Sequence, residues 1–378
     1  MTLEPTNGAA RGRMIGVADL DDIAIGGAIL GTGGGGDPYI GKLMAQQAIR
    51  KFGPVRMIEL DEVDDDALVV PCAMMGAPTV MIEKIPQGGE IMTAFQKLER
   101  FLGKKIGAIL CAEAGGLNST IPFVIGAMTG IPVIDGDGMG RAFPELQMVT
   151  FTLHGVSATP MVMVDDKGNS ILLECIDNRW TERLARTATV EMGGSVLISL
   201  YSMTGAIAKQ AAVRGTLTLA RRLGEILRES RAAHADAVAA IQSKLDAATI
   251  FHGRVTDIAR RTETGFARGE AKFTGVEEYR GYEYRIAFQN EFLIAERDGQ
   301  PIVTTPDLIT LLDSDTGAPI TTETLRYGLR VVAIAIPCAP QWRTPEGLAL
   351  VGPHYFGYKV DYRPFKTSAE IPHGEHPA

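Results

Sequence analysis

The sequence predicts an α/β domain with a mostly parallel sheet, followed by a β-rich domain that reads as a barrel or a sandwich and includes a long helical insertion. Three observations predict it. Between about residues 55 and 135 the apolar runs A-L-V-V-P-C-A-M, I-G-A-I-L-C-A and I-P-V-I-D alternate with the helix-like stretches E-I-M-T-A-F-Q-K-L-E-R-F-L and T-I-P-F-V-I-G-A-M, which is the signal of parallel strands covered on both faces. From about Thr204 to Ala248 the pattern is helical, with a break near Ser230. Between residues 253 and 352 short strands are punctuated by turns such as Arg297-Asp298-Gly299-Gln300 and Asp315-Thr316-Gly317, a spacing typical of antiparallel sheets.

A chain of 378 residues fits two domains. They are placed at 14–165 and 166–365, with disordered tails predicted at 1–13 and 366–378. Before the first strand, D-L-D-D-I-A-I-G-G-A-I-L spaces small and apolar residues as a helix does. Q-M-V-T-F-T-L, residues 147–153, reads as a strand, and P-M-V-M-V-D-D-K-G-N-S-I-L-L-E as a hairpin turning near Lys167-Gly168-Asn169. I-A-F-Q-N-E-F-L-I-A-E-R reads as one apolar strand in which Gln289, Asn290 and Glu291 require polar partners.

A formal charge of −8 and a pI near 5.4 disfavour nucleic acid and anionic membranes as partners. No apolar run has the length of a membrane span, and M-T-L-E-P-T-N-G-A-A-R-G-R lacks the apolar core of a signal peptide, so a cytoplasmic location is expected. Cys72, Cys111, Cys175 and Cys338 are scattered without paired spacing, which suits free thiols in a reducing compartment.

The stretch G-T-G-G-G-G-D-P-Y-I-G-K-L, residues 31–43, comes close to a nucleotide phosphate loop. Leu43 stands where that loop needs a hydroxyl for Mg²⁺, and Pro38 removes a backbone donor. No nucleotide is therefore expected. The stretch reads instead as one helix ending in Gly33, Gly34, Gly35 and Gly36, with Asp37 capping a second helix that starts at Pro38. The glycine backbone could turn several N–H groups toward an anion or carbonyl, or form a tight turn without a ligand.

Open α/β sheets bind ligands beyond the carboxyl ends of their strands, and each strand here ends in reactive residue types. The first runs toward Glu83; the second into Glu113, Gly115, Gly116 and Asn118; the third into Asp135, Asp137, Arg141 and Glu145. In an extended backbone Asp135 and Asp137 share a face, and two neighbouring carboxylates raise the proton affinity of one. That suits a general base, or a divalent metal site with His154 as a further ligand; the alternative is an acidic turn in which Asp135 caps the next segment. Glu113 could orient a ring N–H, and Arg141 could clamp a carboxylate or form a structural pair. Asn290, Glu291 and Asp307 are candidates to close the crevice from the second domain, or to form a satisfied buried network. Cys111, in mid-strand, reads as a buried apolar residue.

In order along the chain, I-L-G-T-G-G-G-G-D-P, A-E-A-G-G-L-N-S, V-I-D-G-D-G-M-G-R-A-F-P-E-L-Q-M, F-Q-N-E and T-P-D-L-I resemble the S-methyl thiohydantoin desulfurase family, from about Asp19 to Phe365. The resemblance implies a three-layer α/β domain followed by a β-barrel-like one. It also implies a hydrolase that removes sulfur from a five-membered thiohydantoin or related cyclic imide. It assigns no catalytic residues. On the residues themselves, Asp135, Asp137 and Glu113 are the expected catalytic carboxylates. Gly33–Gly36, Gly115, Gly116, Asn118, Arg141, Glu145, Asn290 and Glu291 are the expected substrate contacts. The expected partners are a small cyclic imide substrate, a further copy of the chain as a homo-oligomer, or a hydantoinase or oxoprolinase subunit; the alternative reading is a non-catalytic ligand-binding or accessory protein beside such an enzyme.

Overall fold

The computed structural model describes residues 12–76, 80, 88–263 and 265–365. The expected tails therefore lie outside the described residues, except that Arg13 opens an edge strand and pairs with Asp19. Glu83 lies outside them as well.

The first sheet has nine strands: β1 (Arg13–Ile15), β2 (Val55–Ile58), β3 (Leu68–Gly76), β4 (Ile106–Cys111), β5 (Val133–Ile134), β7 (Met161–Val164), β8 (Ser170–Leu173), β9 (Ser195–Ser199) and β10 (Met203–Thr204). Its path runs β1-β2-β5-β4-β3-β9-β7-β8, with β10 beside β3. The pairs β2–β5, β5–β4 and β4–β3 are parallel, as the alternation of strands and helices predicts. The remaining pairs are antiparallel, so the sheet is mixed rather than mostly parallel. The hairpin β7–β8, turning at Gly168 as expected, and β9 extend it in the antiparallel sense.

Helices α1 (Val17–Leu30) and α2 (Pro38–Phe52) run between β1 and β2, α3 (Glu90–Leu102) between β3 and β4, and α4 (Ile121–Thr129) between β4 and β5. Asp37 accepts the Tyr39 N–H at the start of α2, with Pro38 in the first turn. Gly103 and Gly130 end α3 and α4 in the left-handed conformation. Residues 147–153 depart from the strand reading: Thr150–Leu153 is one helical turn, α5. Both the N–H and the hydroxyl of Thr150 are donated to the Gly138 carbonyl, which anchors the segment outside any ladder.

After α6 (Asn178–Glu191), the predicted helical insertion is three helices: α7 (Gly205–Ala211), α8 (Thr216–Ala232) and α9 (Ala237–Leu245). The first interruption is β11 (Val213–Arg214), which pairs with β6 (Gly136–Asp137). The second falls after Ala232, where His234 takes a positive φ and Asp236 caps α9. Helices α1 and α8 meet at two glycines. A Cβ on Gly26 would lie 1.8 Å from the Ala220 carbonyl oxygen, and one on Gly224 2.0 Å from that of Asp22. The same contact carries the Asp22–Arg228 ion pair at 3.0 Å.

The second sheet is antiparallel and eight-stranded: β12 (Ala248–Glu263), β13 (Phe266–Gly275), β14 (Glu283–Gln289), β15 (Glu291–Arg297), β16 (Gln300–Thr304), β17 (Leu308–Asp313), β18 (Pro319–Ile320) and β19 (Arg330–Ile336). Its path runs β16-β15-β14-β13-β12-β19-β17-β18 and stays open, with no ladder joining β16 to β18 among the described residues. The closed barrel is therefore not found. Bulges in β12 bend the sheet, and Phe251, Phe273, Phe288, Phe292 and Ile309 form its core. A larger core lies under the first sheet and its helices.

Gly26→Val would drive a side chain into the α8 backbone, with no flexible atom to yield. The expected loss is about 3 kcal/mol, read as a lowered midpoint in urea unfolding. Gly53→Ala, where a Cβ meets nothing within 4 Å, is a control for general glycine loss; its own cost arises from φ +105° alone.

Candidate active site

Beyond the carboxyl ends of β3 and β4 lies a cavity of about 660 Å³, counting its open mouth. This is the position that parallel topology favours. The first domain supplies Met74, Glu113, Asn118, Phe143, Glu145 and Tyr201, α6 supplies Arg186, and Asn290 and Glu291 enter from the second sheet.

Glu113 stands two residues beyond β4 and is almost fully buried. Its Oε1 accepts from Asn118 Nδ2 at 2.5 Å. Asn118 is itself fixed to β3: its Oδ1 accepts the Met74 N–H at 2.7 Å, and its Nδ2 also donates to the Met74 carbonyl. Thus Asn118 holds Glu113 at the strand end rather than merely capping a helix. Burial pushes the Glu113 carboxyl up to about 8, against the hydrogen bond from Asn118, and the nearby Asp137 adds to the rise.

Asp137 is fully buried behind this wall. Its carboxylate accepts N–H groups from Ala114, Met139 and Gly140. Burial raises its carboxyl to about 7 in spite of these donors. Asp137 thereby ties the loop that carries Glu113 to the loop after β6, one layer behind the cavity. Asp135 faces elsewhere. Its Oδ1 takes the N–H groups of Leu217 and Thr218 at the start of α8, so the expected shared face is not formed: the glycine between them lies in β6, where the chain turns onto β11. His154 is exposed at the end of α5, and the three residues form no common ligand set. Among the described residues the one group of three close metal-ligating side chains is His252, Glu277 and Glu278, outside the cavity.

The stretch read as a single strand around Asn290 is a hairpin. Gln289 pairs with Glu291, and the chain reverses at Asn290 with φ +59°, a conformation asparagine tolerates better than most residues. Asn290 Oδ1 accepts the Ala267 N–H, which clamps the tip. The reversal pushes Glu291 into the cavity, where its Oε1 accepts from Gly35 N–H at 3.3 Å while Oε2 has no partner. Burial, then the charge of Glu113, raise the Glu291 carboxyl well above the ordinary range; Arg141 opposes the rise.

Of the four expected glycines, Gly35 lines the cavity. Gly33 and Gly34 serve the hairpin: their Cβ positions would lie 2.4 Å from the Phe292 ring and 2.1 Å from Glu291 Oε1. Gly115 and Gly116 likewise allow close packing, against Ala142 and against the Gly35 backbone. Arg141 is fully buried and does not line the cavity. Its five N–H donors go to the carbonyls of Ala142, Pro306, Asp307 and Phe292 and to the Thr32 hydroxyl. It bolts the domains together. Asp307 accepts from Cys338 N, Tyr362 OH and Phe365 N, a structural use. Glu145 lies on the cavity wall and accepts from Tyr355 OH and Gln147 Nε2, both at 2.6 Å.

Arg186 is the cavity residue that sequence reading missed. Its Nε binds Glu182 at 2.8 Å and its Nη2 the Pro144 carbonyl, while the guanidinium lies over the Phe266 ring. Its Nη1 contact, to the Gly265 carbonyl, is long at 3.5 Å. The available signal was the Glu182–Arg186 spacing of four on a helix whose other arginines face solvent.

A mixed α/β sheet is thus joined to an open antiparallel sheet, with Glu113 and Glu291 buried at the cavity between them. Family models identify the chain further. The S-Me-THD-like N-terminal domain matches residues 18–175 and the S-Me-THD-like C-terminal domain residues 176–365. The chain belongs to the S-Me-THD-like family. Among curated proteins none matches. A crystal structure of a protein from Chromobacterium violaceum shares the fold, with a TM-score of 0.75 and 23% identity over 94% of this chain and 100% of that one.

Because the folded Glu113 carboxyl is raised from 4.5 to about 8, the unfolded chain gives up this proton first. The associated stability is whole below pH 4.5 and is lost as pH climbs to 8. Glu113→Gln keeps an acceptor for Asn118 and removes the buried charge. The variant should match the wild type in melting temperature at pH 5 and exceed it by several degrees at pH 9, measured by differential scanning calorimetry.

Proposed function

We propose that the chain is a hydrolase that releases thiol from an S-alkylated thiohydantoin or a related five-membered cyclic imide. The family supports a thiohydantoin-related role. The observation that carries the reading is the pair Glu113 and Glu291, two buried carboxyls in one cavity, both raised by burial, with the charge of Glu113 adding to the rise at Glu291.

Such a pair divides naturally into a base and an acid. Glu113, held by Asn118 and raised to about 8, is the member that takes a proton from water. Glu291 keeps its proton. With Oε1 occupied by Gly35, the unpartnered Oε2 is the place for it.

The reactive ring carbon is doubly bonded to nitrogen and singly bonded to sulfur. Water oxygen bonds to that carbon as Glu113 accepts the water proton, and the ring nitrogen gains a proton from Glu291. In the tetrahedral adduct the carbon–sulfur bond then breaks, the sulfur leaves as thiol with the proton that Glu113 had taken, and the hydroxyl gives its proton to Glu291 as the carbonyl forms, which restores both carboxyls. One water is consumed and one thiol released. Arg186, with its weakly engaged Nη1, is the donor for a ring oxygen, and Met139 and Phe143 form apolar walls for the ring.

The purified chain should release thiol from S-methyl thiohydantoins, read by a thiol-reactive dye. The kcat/KM profile should rise with pH toward about 8, since the base must be ionised. Glu113→Gln and Glu291→Gln should each lower kcat/KM by at least about 100-fold. Silence across a panel of S-alkyl rings would refute the hydrolase reading and favour an accessory role.

A further inference from the structure

The outward face of α6 and the segment that enters it expose an apolar row: Ile176 is 87% exposed, Trp180 44% and Leu184 45%. In the chain the row follows β8, the terminal strand of the first sheet, which pairs only with β7 among the described residues and whose Leu172 is also exposed. The opposite side of the helix, Ala185 and Thr189, is buried. Such contiguous exposure of large apolar groups is the mark of an interface.

The pattern around Trp180 identifies what covers it. In I-D-N-R-W-T-E-R-L, residues 176–184, Ile176 and Leu184 stand four residues before and after Trp180, and Asp177 and Arg183 three before and after. The apolar positions are symmetric about the tryptophan; the charges are opposite. Laid antiparallel on a copy of itself with Trp180 on the two-fold axis, the segment sets Ile176 against Leu184 and Asp177 against Arg183, twice. That is the self-complementarity an isologous interface requires. Trp and Arg are also the residue types that dominate interface energetics. Arg183 already lies over the Trp180 ring, and Asp177 uses only one oxygen to cap the helix. Acids and bases alternate here, whereas an anionic bilayer would select bases alone.

We infer that this face binds a second copy of the chain, forming a two-fold dimer centred on Trp180. The proposal is independent of the chemistry in the cavity, although the two share a helix: Arg186 on the inner side of α6 reaches the cavity wall.

Sedimentation equilibrium of the full chain tests it. The wild type should be a dimer at about 100 μM chain, and Trp180→Asp should be a monomer with an unchanged circular dichroism spectrum. Arg183→Asp should weaken the dimer at least about tenfold, and adding Asp177→Arg to it should recover most of the loss by reversing both pairs. In a Cys175→Ser background, Trp180→Cys should oxidise to a disulfide-linked dimer, because only a residue near the axis can meet its own copy. A monomeric wild type, a dimer that survives Trp180→Asp, or a double charge reversal weaker than Arg183→Asp alone would overturn the inference.

Discussion

The contact on which the rest of the structure depends is the seating of the β14–β15 hairpin on the glycine loop between α1 and α2. Phe292 N–H donates to the Thr32 carbonyl at 2.7 Å, and Thr322 N–H to that of Gly33 at 2.8 Å. Two backbones from different domains are thus joined directly, at a distance that side chains on the loop would forbid. Arg141 then closes the joint from behind by binding both Thr32 and Phe292. The run of glycines that looked like a phosphate cradle is a socket for another part of the same chain. One N–H of the run, on Gly35, remains at the cavity and receives Glu291.

That seating also explains how charged groups come to be buried together. A carboxyl brought from the second domain, Glu291, meets Glu113 at the end of β4, and the Glu113 charge adds to the effect of burial in raising the Glu291 proton affinity. The surrounding donors set limits on the strain. Asn118 and the Phe143 backbone favour the ionised form of Glu113, as Arg141 does for Glu291. Asp137, supported by three backbone N–H groups, stiffens the loop that presents Glu113. A buried polar network of this kind is rigid when most members are partnered, and here the unpartnered Oε2 belongs to Glu291, a residue of the cavity wall.

Much of this was legible in the sequence, for identifiable reasons. Strands β3, β4 and β5 and the helices between them carry apolar runs of the right lengths, and Gly103 and Gly130 mark helix ends. Glu113 and Asn118 were found because residues that follow parallel strands occupy a predictable edge of the sheet. The hairpin at Asn290 was hidden because one residue suffices for the reversal, leaving an apolar run that looks continuous. The same reversal hid the route of Glu291 into the site. Asp135 and Asp137 point apart because the second of them already belongs to β6, a two-residue strand too short to leave a periodic signature. Arg141 could not be assigned from sequence, since a guanidinium that binds a ligand and one that binds carbonyls are the same residue in the same kind of loop. Arg186 lay on an ordinary amphipathic helix, and only its contacts with Pro144 and Phe266 distinguish it from its solvated neighbours.

Cys111 sits at the foot of the cavity wall, its S–H directed to the carbonyls of Glu113 and Asn118 at 2.7 and 3.1 Å. Burial and the neighbouring carboxyls hold the thiol far above its ordinary value, so the sulfur stays uncharged. Nucleophilic exchange with sulfur compounds needs the thiolate. Under the proposed reaction each turnover sets free a small mercaptan, whose air-oxidised form would attack-label any ionised cysteine nearby. A sulfur atom kept inert beside its own carbonyl cage makes the protein chemically tolerant of what it liberates.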